Sequence, residues 1–328
     1  MKTNQEQSCD TGPGGPLSQT ASVIRLKEQK ECQAICAMSA TDWNDSTFET
    51  HRSLLFSIAY RMLGSASEAE DIVQDAWLRM RQDEHADVRS PRAYLTTIVT
   101  RLCIDHLRSA ERTRMEYPGP WLPEPLAEPN QEAAELASSL TTAFLVLLEQ
   151  LTPTERAVFL LREVFELDFD EIASSVGKSA TNARQILTRA RGRLRDSRPR
   201  FAVSRRESEE IVRRFRDACV TGNVDELMTM LHADAELVSD GGGKAAAATH
   251  PVLGADRIAK FVLGYAAKLH WSTSDFQLVT INGAPGLLMR HPIAGDGTYS
   301  FDIADGRIRA IYVMRNPDKL RGFLEHTH

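Results

Sequence analysis

Arg184, Gln185, Arg189 and Arg191 carry side chains suited to a nucleic acid. Arginine and glutamine make bidentate contacts to purine edges in the major groove, and additional guanidinium groups neutralise phosphates. With Asn182 and Thr188 they share one face of a helix expected from Ser179 to Arg195, whose opposite face is Ala183, Leu187, Ala190 and Leu194. From Lys178 to Arg200 there are eight Lys or Arg and one acid, Asp196. A solvated basic helix in an ordinary bundle has the same composition, so the surrounding elements must decide.

Those elements form a helix-turn-helix over residues 168–195. Asp168 and Glu171 make a capping box for a first helix, Gly177 ends it, and Ser179 opens the second. Upstream, Thr152, Pro153 and Glu155 combine an N-cap, an N1 proline and a capping-box partner. Leu136, Leu140, Phe144, Leu147 and Leu151 predict an amphipathic helix before that.

The 328 residues suggest two or three domains. The net charge of −6 argues against coating nucleic acid over the whole surface, and its partition is uneven. Residues 41–90 hold ten acids and five bases, 118–150 five acids and no base, and 151–200 ten bases and seven acids. Five cysteines (Cys9, Cys32, Cys36, Cys103, Cys219) form no CxxC pair, and no apolar run is long enough to span a membrane, so a reduced cytoplasmic protein is expected. Cys32 and Cys36 can share a helix face, but no His or third Cys lies nearby. No metal and no cofactor are expected.

Residues 1–40 contain TGPGGP and little to bury; they are expected to be disordered or to lie upstream of a start at Met38. Phe48, Leu55, Ile58, Ala59 and Met62 then recur at helical spacing until Gly64. Ser67 and Glu70 predict a capping box for a helix burying Ile72, Val73, Ala76, Trp77 and Met80. Its outer stripe is Asp71, Gln74, Asp75 and Leu78, either a solvated face or one suited to a basic partner helix. Ser90 and Pro91 open a third helix with Leu95, Ile98 and Leu102 inward and Thr97, Arg101, Asp105, Arg108 and Arg112 outward, Asp105 placed to pair with Arg101 and Arg108. Tyr94 near its start can stack on a base or fill the core. Residues 117–131 carry YPGPWLPEPLAEPN, whose five prolines exclude a helix or central strand. Trp121, Leu122 and Leu126 within it call for a docking surface.

AEDIVQDAWLRM and PRAYLTTIVTRLCIDHLR resemble regions 2.2 to 2.4, and LTPTERAVFLLREVFELDFDEIASSVGKSATNARQI resembles region 4, of the extracytoplasmic-function (ECF) sigma factors, promoter-recognition subunits of bacterial RNA polymerase. The resemblance spans Phe48 to Arg195. It implies that Asp71, Gln74, Asp75 and Leu78 face the β′ coiled coil and that region 4 meets the β flap. The minus-10 element would fall to Arg92, Tyr94, Thr97, Arg101, Asp105, Arg108 and Arg112, with Tyr94 where many members carry Trp. The minus-35 element would fall to Asn182, Arg184, Gln185, Thr188, Arg189 and Arg191. Region 2 then occupies residues 41–116 and region 4 residues 132–200.

Residues 205–328 change pattern. Ile211, Val212, Phe215 and Ala218 predict one helix, Leu227, Met230 and Leu231 a shorter one, and residues 256–269 a third. AELVS, DFQLVTING, GLLM, TYSFDI and RIRAIYVM alternate as strands. This predicts an α+β domain with a curved antiparallel sheet, resembling the SnoaL-like, NTF2-like cone. The whole is therefore expected to be multidomain, two all-α sigma domains plus an α+β cone.

WLPEPL (Trp121, Leu122, Pro123, Glu124, Pro125, Leu126), DGGGK (Asp240, Gly241, Gly242, Gly243, Lys244) and NPDKL (Asn316, Pro317, Asp318, Lys319, Leu320) resemble the SigJ-type group, whose fused domain is thought to act on the sigma regions in cis. This implies regulatory contacts among the three motifs and no obligatory anti-sigma factor. DGGGK is otherwise a plain turn. The implied partners are core RNA polymerase and promoter DNA at the nucleoid, without a membrane, and a small-molecule ligand of the C-terminal domain stays open. A one-component regulator with a ligand-sensing domain is the first alternative. An isomerase or hydrolase using His232, Asp234, His250, His270, Tyr299 or Asp302 is the second.

Overall fold

The computed structural model describes residues 45–82, 90–127, 141–194 and 204–327, with backbone alone over 111–115. The expectations for Cys9, Cys32, Cys36 and Met38, for Leu136 and Leu140, for the linker beyond Ala127 and for residues from Arg195 to Val203 lie outside the described residues.

Three helices, α1 (Asp45–Leu63), α2 (Ala66–Gln82) and α3 (Pro91–Met115), are followed by α4 (Thr142–Leu148), α5 (Pro153–Glu163), α6 (Phe169–Val176) and α7 (Ala180–Leu194). Local chemistry sets their ends as expected: Thr152 with Glu155 and Asp168 with Glu171 form complete capping boxes, and Gly177 closes α6 in the left-handed conformation at φ 66°. Two details differ. Trp77 is half-buried, and its indole N–H reaches Asp45 at 3.2 Å. The start of α2 is not capped by Ser67 and Glu70, because the helix already begins at Ala66, and Glu70 pairs instead with Arg52 at 2.6 Å. Ser65 Oγ instead accepts from Glu68 N at 3.2 Å, and Glu124 of the proline-rich segment accepts from Ala66 N at 2.7 Å. A carboxylate there complements the positive end of the helix dipole.

The seven helices share one apolar core. Leu55, Ile58, Val73 and Leu95 of the first group are continuous with Leu148, Val158, Leu160 and Leu187 of the second.

The C-terminal domain runs α8 (Arg205–Thr221), α9 (Val224–Met230), β1 (Leu231–Asp240), β2 (Val252–Leu253), α10 (Ala255–Leu269), a short 3-10 turn, β3 (Phe276–Ile281), β4 (Ala284–His291), β5 (Gly295–Ala304), β6 (Arg307–Met314) and α11 (Pro317–Glu325). The strands form one sheet in the order β2-β1-β6-β5-β4-β3. The sheet is mixed rather than antiparallel, since β1 pairs parallel to β6. No hairpin joins those two strands. The long path through α10 and three hairpins frees the direction of β1.

Each face of the sheet has a different cover. Ile311 and Val313 point into a core with Val212 and Phe215 of α8 and Ile258 and Val262 of α10. Ala310, Tyr312 and Met314 point the other way, into a cluster containing Leu122 and Leu320, with Ala143 and Val146 of α4 packed on it. The second face is thus covered partly by the helical half of the chain.

Candidate nucleic-acid interface

On α7, Ala183, Ile186, Leu187, Ala190 and Leu194 are buried, while Arg184, Gln185, Thr188, Arg189 and Arg191 are exposed and Asn182 is half-buried. Ile186 is a core residue the sequence reading left out. Two of the cations are pre-positioned. Arg184 lies over the Phe169 ring at 4.8 Å, and Arg191 pairs with Glu163 at 2.6 Å. Cation–π stacking and an ion pair between exposed groups are each weak, so both arginines remain available to a stronger anion.

The outward face of α3 is different, because the helix-turn-helix engages part of it, while Arg92, Asp105 and Arg108 stay exposed. Arg101 donates through Nη2 to Ser174 O at 2.7 Å and through Nε to Ser175 O at 3.2 Å. Thr97 Oγ1 lies 3.1 Å from Ser175 Oγ. Ser174 and Ser175 sit at the end of α6, where carbonyls lack helical partners and the dipole is negative, so a guanidinium fits there. The expected Asp105–Arg101 pair is therefore not formed. Asp105 pairs with Arg108 alone at 3.5 Å, and Arg108 also reaches Thr154 Oγ1 at 3.5 Å. Arg92 opens onto a polar cleft shared with Glu166 and Glu171. Tyr94 is half-buried against the helical core, and the Arg112 side chain lies outside the described residues.

The acidic stripe on α2 is uncovered. Asp71, Gln74 and Asp75 are exposed, and Leu78 is 42% exposed.

Residues 117–127 join these surfaces to the C-terminal domain through three junctions. At the first, Trp121 packs on Gly64, whose φ is +71°; a Cβ there would lie 2.6 Å from Trp121 Cη2. The glycine that stops α1 also makes room for the indole. Glu124 N donates to Gly64 O at 2.8 Å, and the Tyr60 hydroxyl donates to Glu124 O at 2.5 Å.

At the second, the fully buried Asp240 accepts from Tyr117 Oη at 2.6 Å, Leu122 N at 2.9 Å and Lys319 Nζ at 2.7 Å. Lys319 also donates to Leu122 O at 2.7 Å and sits 4.2 Å from the Trp121 ring. Burial and the Asp240 carboxylate push the Tyr117 phenol well above its usual range, which keeps it a donor. Gly242, at φ +56°, permits the close approach of the Asn316 amide, which a Cβ would strike. Lys244 and Asp318 form an exposed pair at 2.5 Å. Pro118, Leu122, Asp240, Gly242, Gly243, Asn316 and Lys319 thus come together, whereas Pro123 lies against Gly64.

The third junction was not foreseen. Asn282, 3% exposed, accepts at Oδ1 from Leu126 N at 2.9 Å, shares there the single proton of Tyr60 Oη at 3.0 Å with Glu124 O, and donates from Nδ2 to Thr142 Oγ1 at 3.0 Å. One amide thereby ties α1, the linker, α4 and the β3–β4 hairpin. The signal was Asn282-Gly283, an Asn-Gly hairpin turn; both residues have positive φ, 49° and 72°.

The acid–base candidates do not converge. The Tyr299 hydroxyl is buried in an apolar cavity, whereas Asp234 and Asp302 line a separate cleft against α4. His232, His250 and His270 line neither. Among the described residues no cluster of His, Cys, Asp or Glu is placed to hold a metal, and no helix is long and apolar enough to cross a membrane.

The family model of sigma-70 region 2 matches residues 47–113, and that of sigma-70 region 4 matches residues 141–194. The Mycobacterium tuberculosis ECF RNA polymerase sigma factor SigJ is 35% identical over 295 residues, covering 84% of this chain and 93% of its own. The probable ECF RNA polymerase sigma factor SigI of the same organism is 32% identical over 291 residues, covering 86% and 97%. The crystal structure of the M. tuberculosis extracytoplasmic function sigma factor SigJ superposes with a TM-score of 0.71 at 33% identity, covering 85% of this chain and 99% of that one. Helical sigma domains followed by a mixed-sheet domain recur there over most of the chain, and sigma factors are not enzymes. With both sigma regions matched in order and full-length relatives at this identity, the chain belongs to the ECF sigma factors, which bind core RNA polymerase and promoter DNA to initiate transcription.

Proposed function

We propose that this sigma factor rests in a closed state, with region 2 folded onto region 4, and that residues 205–328 clamp it there in cis in place of an anti-sigma protein. The domain boundaries are those of the sequence: 41–116 for region 2, 132–200 for region 4, and 117–131 for the linker that the clamp grips. Arg92, Tyr94, Thr97, Arg101, Asp105, Arg108 and Arg112 are assigned to the minus-10 element. Asn182, Arg184, Gln185, Thr188, Arg189 and Arg191 are assigned to minus-35. Asp71, Gln74, Asp75 and Leu78 are assigned to the β′ coiled coil, and region 4 to the β flap.

One observation carries this reading: Arg101 and Thr97 are engaged by Ser174 and Ser175 of the helix-turn-helix. With its Nε and Nη2 committed to these carbonyls, Arg101 has fewer donors free for DNA, and parting regions 2 and 4 would release them for the minus-10 element. Hydrogen bonds from a charged group are worth only about 1.5–3 kcal/mol net. Parting the regions would also expose part of the apolar core they share, which polymerase binding through the uncovered α2 stripe would have to offset as well.

Run-off transcription with purified core polymerase tests the reading. Full-length protein with core is expected to give promoter-specific transcripts, and neither component alone should. Specific promoter binding without core would instead establish a one-component regulator.

A further inference from the structure

The C-terminal domain holds a cavity of about 190 Å³ between α10 and the sheet, walled by Phe261, Tyr265, Trp271, Tyr299 and Val313, with Arg315 among its lining. That exceeds the ~150 Å³ of an apolar cavity able to take up benzene. Tyr265 and Tyr299 meet the Trp271 ring edge-on at 5.8 and 6.2 Å, so the walls are largely aromatic.

Arg315 is the anomaly in this cavity. It is 4% exposed, and no carboxylate pairs with it among the described residues. Nη1 donates to Tyr265 Oη at 3.1 Å and Nη2 to Ala294 O, while buried Nε has no partner there. The neighbouring Trp271 Nε1, on a residue 7% exposed, is likewise without a partner. Gly297 leaves space for the arginine, since a Cβ there would lie 2.7 Å from Arg315 Cδ. A buried cation facing apolar walls is costly unless an anion joins it. Tyr299 does not supply that charge, because burial holds its phenol well above its usual range.

We infer that this cavity is a binding site for a small aromatic carboxylic acid, the ring lying among Phe261, Tyr265, Trp271 and Tyr299 and the carboxylate on Arg315. A planar carboxylate takes paired donors from a guanidinium. The site adjoins the clamp. The backbone N–H groups of Arg315 and Asn316 donate to Asp240 O at 2.7 and 3.0 Å, and Ala246–Ala248 of the cavity wall follow DGGGK after Ala245. Any effect of the acid on transcription rests on the clamp reading. Its binding does not.

Calorimetric titration of the full chain with benzoate, phenylacetate and 3-phenylpropanoate, each beside its neutral amide, tests this. At least one acid is expected to bind ten-fold or more tightly than its amide, and Arg315→Met to reduce that acid to the level of the amide while leaving the amide unchanged. The proposal is overturned if no acid outperforms its amide at millimolar concentration, or if folded Arg315→Met binds the acid like wild type. Should Arg315→Met fail to fold, the acid–amide comparison on the native chain decides alone. Acid binding with no change in run-off transcription would count against the clamp and leave the site standing.

Discussion

At Asp240 the carboxylate meets Lys319 Nζ at 2.7 Å with 10% of the lysine side chain and none of the aspartate exposed. Removing one member of a buried pair leaves the other charge without its partner, which costs about 3–5 kcal/mol. Asp240→Ala also strips Leu122 N and Tyr117 Oη of their acceptor. It should lower stability to urea by about that amount, whereas Lys244→Ala, which removes only an exposed pair with Asp318, should change it by no more than about 1 kcal/mol. Equal effects of the two would place the junction's strength elsewhere. Motif spacing announced Asp240 and Lys319, but the reach of Asn282 across four elements depends on long-range packing that no local pattern encodes. Ser174 and Ser175 were silent for a related reason. Their backbone carbonyls, more than any side-chain identity, receive Arg101, and carbonyls carry no letter in a sequence.

Elements follow the same division between local and long-range signals. Capping boxes and the Gly177 stop were legible because both partners lie within three residues. The cap of α2 was misread because its true partner, Glu124, is more than fifty residues away and Glu70 is taken by Arg52. The parallel β1–β6 pair was missed because strand direction is a property of the connection. β6 was read as an alternating strand, yet its near-continuous apolar run, AIYVM, is the pattern of strands covered on two sides. The cover on the second face, α4, brings Glu236 and Asp302 into a cleft with Asp234, Arg309 and Tyr312. Desolvation chiefly, reinforced by Asp302, raises the Glu236 carboxyl, and desolvation raises Asp302 against an opposing pull from Arg309. Groups raised in the folded state bind more protons there than in the unfolded chain. Their stabilising contribution is therefore complete below the ordinary carboxylate range and is lost as pH rises through the raised values. Glu236→Gln should raise the thermal midpoint at neutral pH, by about 2–4 °C per kcal/mol relieved, and flatten its decline between acidic and neutral pH. A midpoint unchanged at neutral pH would mean that the cleft is too well solvated to matter.

For the whole molecule, the surfaces assigned to its two partners are treated unequally. The α2 stripe is uncovered, while Thr97 and Arg101 of α3 are engaged by α6, and the linker, Asp240 and Asn282 hold the two halves against one sheet. Under the proposed clamp such an arrangement would impose an order, polymerase first and the minus-10 element afterwards. It also makes the closed state something that can be locked. Thr97 Oγ1 and Ser175 Oγ are 3.1 Å apart across the boundary between regions 2 and 4, and the neighbouring Cys103 and the distant Cys219 are buried and free. Cysteines at these two positions would face one another across that boundary. The double variant Thr97→Cys with Ser175→Cys should therefore oxidise to a protein that still co-purifies with core polymerase through α2 but gives at least ten-fold less run-off transcript, with activity returning on reduction. Full activity in the oxidised, cross-linked protein would mean that promoter opening proceeds without separating α3 from α6, and the closed state would then have no part in initiation. Loss of polymerase binding together with transcription would instead place the obstacle one step earlier, with separation required to receive the β′ coiled coil itself.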